Sequence, residues 1–248
     1  MHMRKKKWAE NELASCPFYF DSARALSGRW RALFAHAGEL HAELGCGKCV
    51  STALLARETP GINYVALDLS RDMLAVARRN IVAAYRETPV NNIVLSCHNL
   101  LYVQQIFSPA DAVDRLYINF CNPWDQKIHH ERRRLVHTRQ LLQYRTFLKP
   151  GAQLYFKTDN DALFDAALGY LDESGFSVSF LTRDLYQSGY APNYPTEHEL
   201  RFAAAGVPIK FLQAVMQPLA PERERVLRVR WLGDEATQRR ILQPEAAQ

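Results

Sequence analysis

From residue 39 to about residue 182, short apolar runs alternate with amphipathic stretches. The runs at 40–44, 64–69, 93–97, 115–120 and 152–157 are five or six residues long, the length and character of buried strands. Between them, Met73, Val76, Ala77 and Ile81 recur near the 3.6-residue helical period and predict a helix over 72–86, with Ser70 or Asp72 placed to cap it. Segments 50–57, 130–147 and 160–174 also read as helices, the last closed by Gly175. Strands that alternate with helices imply crossover connections, and so a doubly wound, mostly parallel α/β sheet. After Phe176 the pattern changes. Segments 176–181 and 209–215 read as strands joined by a long loop rich in Tyr, Pro and Gly, in which no helix is evident. So long a stretch without regular structure is usually functional. From residue 218 onward Pro, Glu, Arg and Gln dominate, which predicts a charged tail with a short helix near 223–231. The expected organisation is an N-terminal arm and helix at 1–38, a central domain at 39–217 and the tail at 218–248.

Composition narrows this picture. At 248 residues, with 48% hydrophobic and 23% charged positions, the chain suits one well-buried core and excludes wholesale disorder. No run approaches the ~18 apolar residues of a membrane span. Polar residues follow the basic start, so no secretory signal is predicted. Five cysteines, an odd number, argue against a disulfide framework and for a reducing cytoplasm. The net charge of +5 permits a polyanionic partner without requiring one. Its distribution says more: Arg4, Lys5, Lys6 and Lys7 cluster at the start, and Lys127, Arg132, Arg133, Arg134, Arg139 and Arg145 cluster around the single acid Glu131. By themselves such clusters read equally as solvated helix faces or as phosphate contacts.

Candidate chemistry sits at the strand ends. Glu43-Leu44-Gly45-Cys46-Gly47 closes the first strand, where doubly wound sheets place their first ligand-binding turn. Glycines there let the backbone approach a ligand, and the following helix N-terminus favours polar or anionic groups. A dinucleotide site would want a third glycine where Val50 stands, which disfavours NAD. Asp68 ends the second strand and can accept both hydroxyls of a ribose. Together these point to an adenosine ligand such as S-adenosylmethionine. Cys46-Gly47-Lys48-Cys49 also has redox or metal spacing, but Cys16, Cys97 and Cys121 are isolated, and small residues suit the turn on steric grounds alone. Asn122 precedes a proline, which biases it away from helix and lets its amide project from the fourth strand end; alone, Pro123-Trp124 reads more simply as a rigid turn. Asp159 either caps the next helix or puts a carboxylate in the cleft. Thr196 to Glu199, taken alone, are ordinary loop residues.

In order, these motifs resemble the bacterial tRNA (guanine-N7)-methyltransferases. The resemblance runs from Glu43 to about Val215 and includes the basic stretch at 4–8. Its most specific parts are Phe120-Cys121-Asn122-Pro123-Trp124 with His129, Arg132 and Arg133, then Thr158-Asp159, then Thr196 to Glu199. It implies a Rossmann-like, S-adenosylmethionine-dependent methyltransferase with an antiparallel C-terminal strand, acting on a tRNA guanine, in the variable loop. Glu43, Gly45, Gly47, Asp68, Asn99 and Asn122 are then expected on the cofactor, with Asn122 and Asp159 as catalytic residues. Lys127, His129, Arg132, Arg133, Asp159, Thr196 and Glu199 are expected on the tRNA. No metal, DNA or membrane is expected, and the enzyme would be a cytoplasmic monomer or homodimer. The chain departs from the family pattern in several places. Asn122 and Asn99 stand where Asp is usual, Cys49 where a third glycine is common, Gln126 where a lysine usually sits, and His198 where an aromatic does. The two asparagines motivate a second reading, a methyltransferase-fold RNA-binding protein with little activity; a small-molecule methyltransferase is a third.

Overall fold

The computed structural model describes residues 6–126 and 128–233. Eight strands form one sheet: β1 (Tyr19–Phe20), β2 (Leu40–Leu44), β3 (Asn63–Asp68), β4 (Ile93–Cys97), β5 (Val113–Asn119), β6 (Leu148–Thr158), β7 (Phe176–Thr182) and β8 (Lys210–Met216). Their spatial order is β1-β4-β3-β2-β5-β6-β8-β7, and every pairing is parallel except those of β8 with β6 and β7. The α/β class, the mostly parallel sheet and the antiparallel C-terminal strand are as the sequence implies.

The apolar runs become strands because the sheet is buried on both faces. Along β3, Tyr64 and Ala66 enter one hydrophobic cluster while Val65 and Leu67 enter the other, the two-residue alternation of an extended chain. One face is covered by α1 (Ala9–Ala14), α2 (Val50–Glu58) and α3 (Arg71–Tyr85), and the other by α4 (Thr138–Tyr144) and α5 (Asp161–Glu173). In α3, Leu74, Ala77, Ile81 and Tyr85 are buried at helical spacing, and Ser70 Oγ caps the helix by accepting from Met73 N at 3.3 Å. Asp72, the alternative cap, instead accepts from Lys6 N at 3.1 Å and ties down the N-terminal segment.

Three expectations are corrected. Segment 130–147 is not one helix: a 3-10 turn spans Ile128–Arg133, His137 is extended with ψ 148°, and α4 starts after it. The break arises because Arg134 turns inward, donating from Nε to Pro123 O at 2.7 Å and from Nη1 to Tyr170 Oη at 3.1 Å, while His137 Nδ1 accepts from Arg139 N and starts the new helix. The long loop does contain a helix, α6 (Glu197–Ala204). Its capping box, Thr196 Oγ1 to Glu199 N and Glu199 back to Thr196 N, was written in the sequence as Thr-x-x-Glu but is obscured by the Pro- and Tyr-rich residues before it. The N-terminal region also supplies β1 at the sheet edge, too short at two residues to show any alternation. The tail helix forms as α7 (Pro221–Leu232), and its Leu227 and Leu232 pack on Leu142 of α4.

Two buried histidines are expected to couple the stability of this fold to pH. His41 and His137 are 0% and 3% exposed, and burial is the main cause pulling each pKa from 6.5 down to about 4. The folded pKa lies below the unfolded one, so the stability linked to each neutral ring is full above pH 6.5 and drains as pH falls toward 4. Denaturant titrations across this window should show a loss of roughly 3 kcal/mol per histidine at most, and His137→Gln should make the slope shallower.

Candidate active site

β2 lies between β3 and β5, so the connections leaving β2 and β5 run to opposite faces and open a crevice at their C-terminal ends. Glu43 sits at this point, 3% exposed. Thr52 Oγ1 from α2 donates to one of its oxygens, and Asn119 Nδ2 from the end of β5 donates to the other at 3.0 Å. Burial raises its pKa, and the two hydrogen bonds pull in the opposite direction. The glycine turn follows. Gly45 N and Cys46 N both donate to Leu67 O, which bends the chain over β3. Gly47 N then donates to Asp68 Oδ2 at 2.9 Å, and Ser70 N donates to Asp68 Oδ1 at 2.8 Å. Gly45 and Gly47 have φ of +87° and +54°, and a Cβ on Gly47 would meet nothing within 4 Å, so the turn presents bare backbone to open space. Cys49, which starts α2, is left-handed as well at φ 54°, a conformation that glycine adopts with far less strain.

Above the turn lies a cavity of about 480 Å³ walled by the glycine turn, Met73, Asn119, Phe120 and, from α6, Thr196, Glu197, His198 and Arg201. Lys48 meets Glu197 across it at 2.7 Å. A smaller cavity of about 210 Å³ shares Ser51 and Asn119 with it and extends over Tyr117, Tyr155 and Lys157. Phe120 leaves β5 with a left-handed φ of 52° and stacks on His198, with ring centroids 6.3 Å apart. The large cavity suits an extended adenosine ligand. The backbone approach at Gly47 is open, and beside it Asp68 accepts one backbone N–H on each carboxylate oxygen.

The structure brings Glu43, Gly45, Gly47 and Thr196 together in this cavity, with Asp68 beside it. Asn99 caps the 3-10 turn Leu100–Gln105 by accepting from Leu101 N at 3.1 Å. Asn122 is exposed, and its Oδ1 accepts from Trp124 N at 2.9 Å, which holds Trp124 in a left-handed turn. Asp159 does not cap α5; Asn160 does, accepting from Leu163 N at 2.7 Å. The half-buried Asp159 carboxylate has no partner among the described residues. Arg132 and Arg133 are exposed, the latter with its guanidinium 5.2 Å from the Trp124 ring centroid. Arg134 is 5% exposed and is removed from the expected phosphate-binding run. Glu199 is corrected too. It is fully buried and accepts from Lys157 Nζ, Asn193 Nδ2 and Tyr186 Oη, so it supports the wall from behind and is not presented to RNA. Lys127 and the side chain of His129 lie outside the described residues. Thr52, Asn119, Phe120 and Lys157 were not foreseen. Nine and 76 residues separate Thr52 and Asn119 from Glu43, and only the sheet order joins them.

A glycine turn at the switch point, an acid-ended neighbouring strand and a cavity above them are a nucleoside-type site, and similarity over most of the chain makes it that of an S-adenosylmethionine-dependent methyltransferase. The family model described as "Putative methyltransferase" matches residues 37–212. The tRNA (guanine-N(7)-)-methyltransferase of Ruminiclostridium cellulolyticum is 42% identical over 217 residues, covering 86% of this chain and 92% of that protein. The enzyme of the same name from Clostridium beijerinckii is 44% identical, covering 87% and 99%. The chain belongs to the tRNA (guanine-N7)-methyltransferase family. Among solved structures, the 16S rRNA methyltransferase KamB aligns with a TM-score of 0.56 over 77% of this chain and 92% of its own, at 14% identity, a likeness of fold alone.

Removing the rim carboxylate should weaken the cofactor. Asp68→Ala is expected to cost roughly 1.5–3 kcal/mol of S-adenosylmethionine affinity, the scale of hydrogen bonds to a charged group. Calorimetry reads this directly, and an unchanged affinity removes Asp68 from the site.

Proposed function

We propose that the chain transfers the methyl group of S-adenosylmethionine to N7 of a guanine in the variable loop of tRNA. The observation that carries this reading is the glycine-turn cavity, with Thr196 in its wall, at the sheet edge where the paired strands β5 and β6 end just before Asn122 and Asp159. When bound, the cofactor supplies an electrophilic methyl on a cationic sulfur. Guanine N7 has an in-plane lone pair and no hydrogen, so the protein needs no general base. Its task is alignment, which is worth up to ~7–11 kcal/mol of barrier. Methylation makes the ring cationic, and the Asp159 carboxylate, without a partner among the described residues, stabilises that growing charge. Asn122 shapes the turn that carries Trp124 and keeps its amide N–H groups free to orient the base or the cofactor. The guanine must leave its tertiary contacts to reach this edge. Arg132 and Arg133, with Lys6 and Lys7 on the arm, hold phosphates; Lys127 and His129 join them on the strength of the family pattern. A tRNA substrate places the enzyme in the cytoplasm.

The direct test is to incubate tRNA with enzyme and S-adenosylmethionine and map N7-methylguanine. Modification in the variable loop is expected, and an unmodified tRNA rejects the reading. Charge reversal of Arg132 or Arg133 should flatten the dependence of log affinity on log salt by somewhat under one unit per lost phosphate contact. A wild-type slope would mark them as solvated surface.

Asn122 separates positioning from charge. Asn122→Ala should slow single-turnover transfer tenfold to several-hundredfold, or ~1.4–3.5 kcal/mol in barrier. Asn122→Asp still accepts from Trp124 N but loses the donating amide, so it should be neutral or slower if positioning dominates. A faster Asp variant would instead show that charge at this strand end limits the rate.

A further inference from the structure

Lys157 lies near the end of β6, two residues before Asp159, with a side chain only 10% exposed. All three of its ammonium donors are engaged: with Glu199 Oε2 at 2.9 Å, Asn193 Oδ1 at 2.5 Å and Tyr194 O at 3.4 Å. Glu199, fully buried, accepts in turn from Asn193 Nδ2 at 2.6 Å and from Tyr186 Oη at 3.3 Å. The knot therefore joins β6, the irregular segment before α6 and α6 itself. Its reach extends to the other cavity walls. The carbonyl of Lys157 accepts from Phe120 N at 2.9 Å, and the Tyr194 carbonyl that meets its ammonium also accepts from Ser51 Oγ at 2.7 Å. Phe120, Ser51 and Thr196 all line the large cavity.

A buried ion pair adds little net stability, because desolvation of both charges offsets their attraction. What such a pair can do is hold one geometry, since displacing either partner leaves a largely buried charge unpaired. We propose that Lys157 is a positioning residue for methyl transfer, fixing the wall formed by Thr196 to His198 against Phe120. This rests on the methyl-transfer reading above. Lys157 acts through Glu199 and the segment before α6.

The test uses the full chain with Lys157→Met combined with Glu199→Gln, which leaves no stranded charge, beside Lys157→Arg, which keeps charge and donors. In the double variant, folded by its cooperative melt, turnover at saturation should fall about thirty- to hundredfold, the scale of a small misplacement at a reacting centre. The KM for tRNA should stay within about threefold, because the phosphate contacts lie on another element. S-adenosylmethionine affinity by calorimetry should fall about tenfold, since the wall of its cavity moves. Lys157→Arg should recover most of the turnover. A folded double variant with wild-type turnover and wild-type cofactor affinity overturns the proposal, as does a loss confined to KM. If wild-type enzyme does not methylate tRNA, the functional reading fails, and cofactor affinity then decides the role of Lys157 by itself.

Discussion

The buried carboxylate of Glu43 is the constraint on which the site depends. It lies near the end of β2, where the order of the strands reverses, and its two oxygens are held by α2 through Thr52 and by β5 through Asn119. Burying a carboxylate is costly, and the cost is bearable only because both partners are in place. The arrangement therefore works in both directions. The sheet order brings the partners to Glu43, and Glu43 holds the glycine turn and the end of β5 at a set separation. The glycine turn, Phe120 and Asn122 take their positions from those two strand ends, Asp68 and Asp159 from the neighbouring ends of β3 and β6, and α6 closes over the cavity.

Backbone strain gathers at the same place. Among the described residues five non-glycine positions have positive φ; Cys49 and Phe120 line the crevice, and Trp124 follows Phe120 in the turn after β5. Each forgoes ~1–2 kcal/mol relative to an ordinary conformation, and the surrounding hydrogen bonds over-determine it. This accounts for one departure from the family pattern. The position of Cys49 needs a left-handed backbone whichever residue fills it, so the common glycine there reflects geometry, and cysteine meets the same geometry at some cost. Asn122 departs more mildly: either an amide or a carboxylate oxygen can accept from Trp124 N, so the turn tolerates both.

Burial sorts charged residues that look alike in sequence. Arg132, Arg133 and Arg134 form one basic run, yet the first two are exposed and the third is bolted to Pro123 and Tyr170. Glu197 and Glu199 are two residues apart, but Glu197 meets Lys48 at the cavity wall and Glu199 faces Lys157 inside. An account based on charge clusters alone would assign all of them to RNA.

The local periodicities were sufficient for the strands β2 to β6, for α3 and α5, and for the glycine turn with its downstream acid, because alternation, helical spacing and left-handed glycines are properties of neighbouring residues. The family pattern likewise travels in short contiguous motifs, which is why Glu43, Gly47, Asp68, Asn122 and Asp159 stand out as candidates in the sequence; the structure puts Glu43 and Gly47 in the cavity wall with Asp68 beside them. The sequence also carried the Thr196–Glu199 capping box, a local signal masked by the composition of the residues before it. What it did not carry was partnership across distance. That Asn119 meets Glu43, that Lys157 meets Glu199 and that Arg134 breaks a helix by reaching Pro123 are consequences of which strands lie side by side and which side chains lose water together. Those choices are made when the two faces of the sheet close over their cores, so only the tertiary structure decided them.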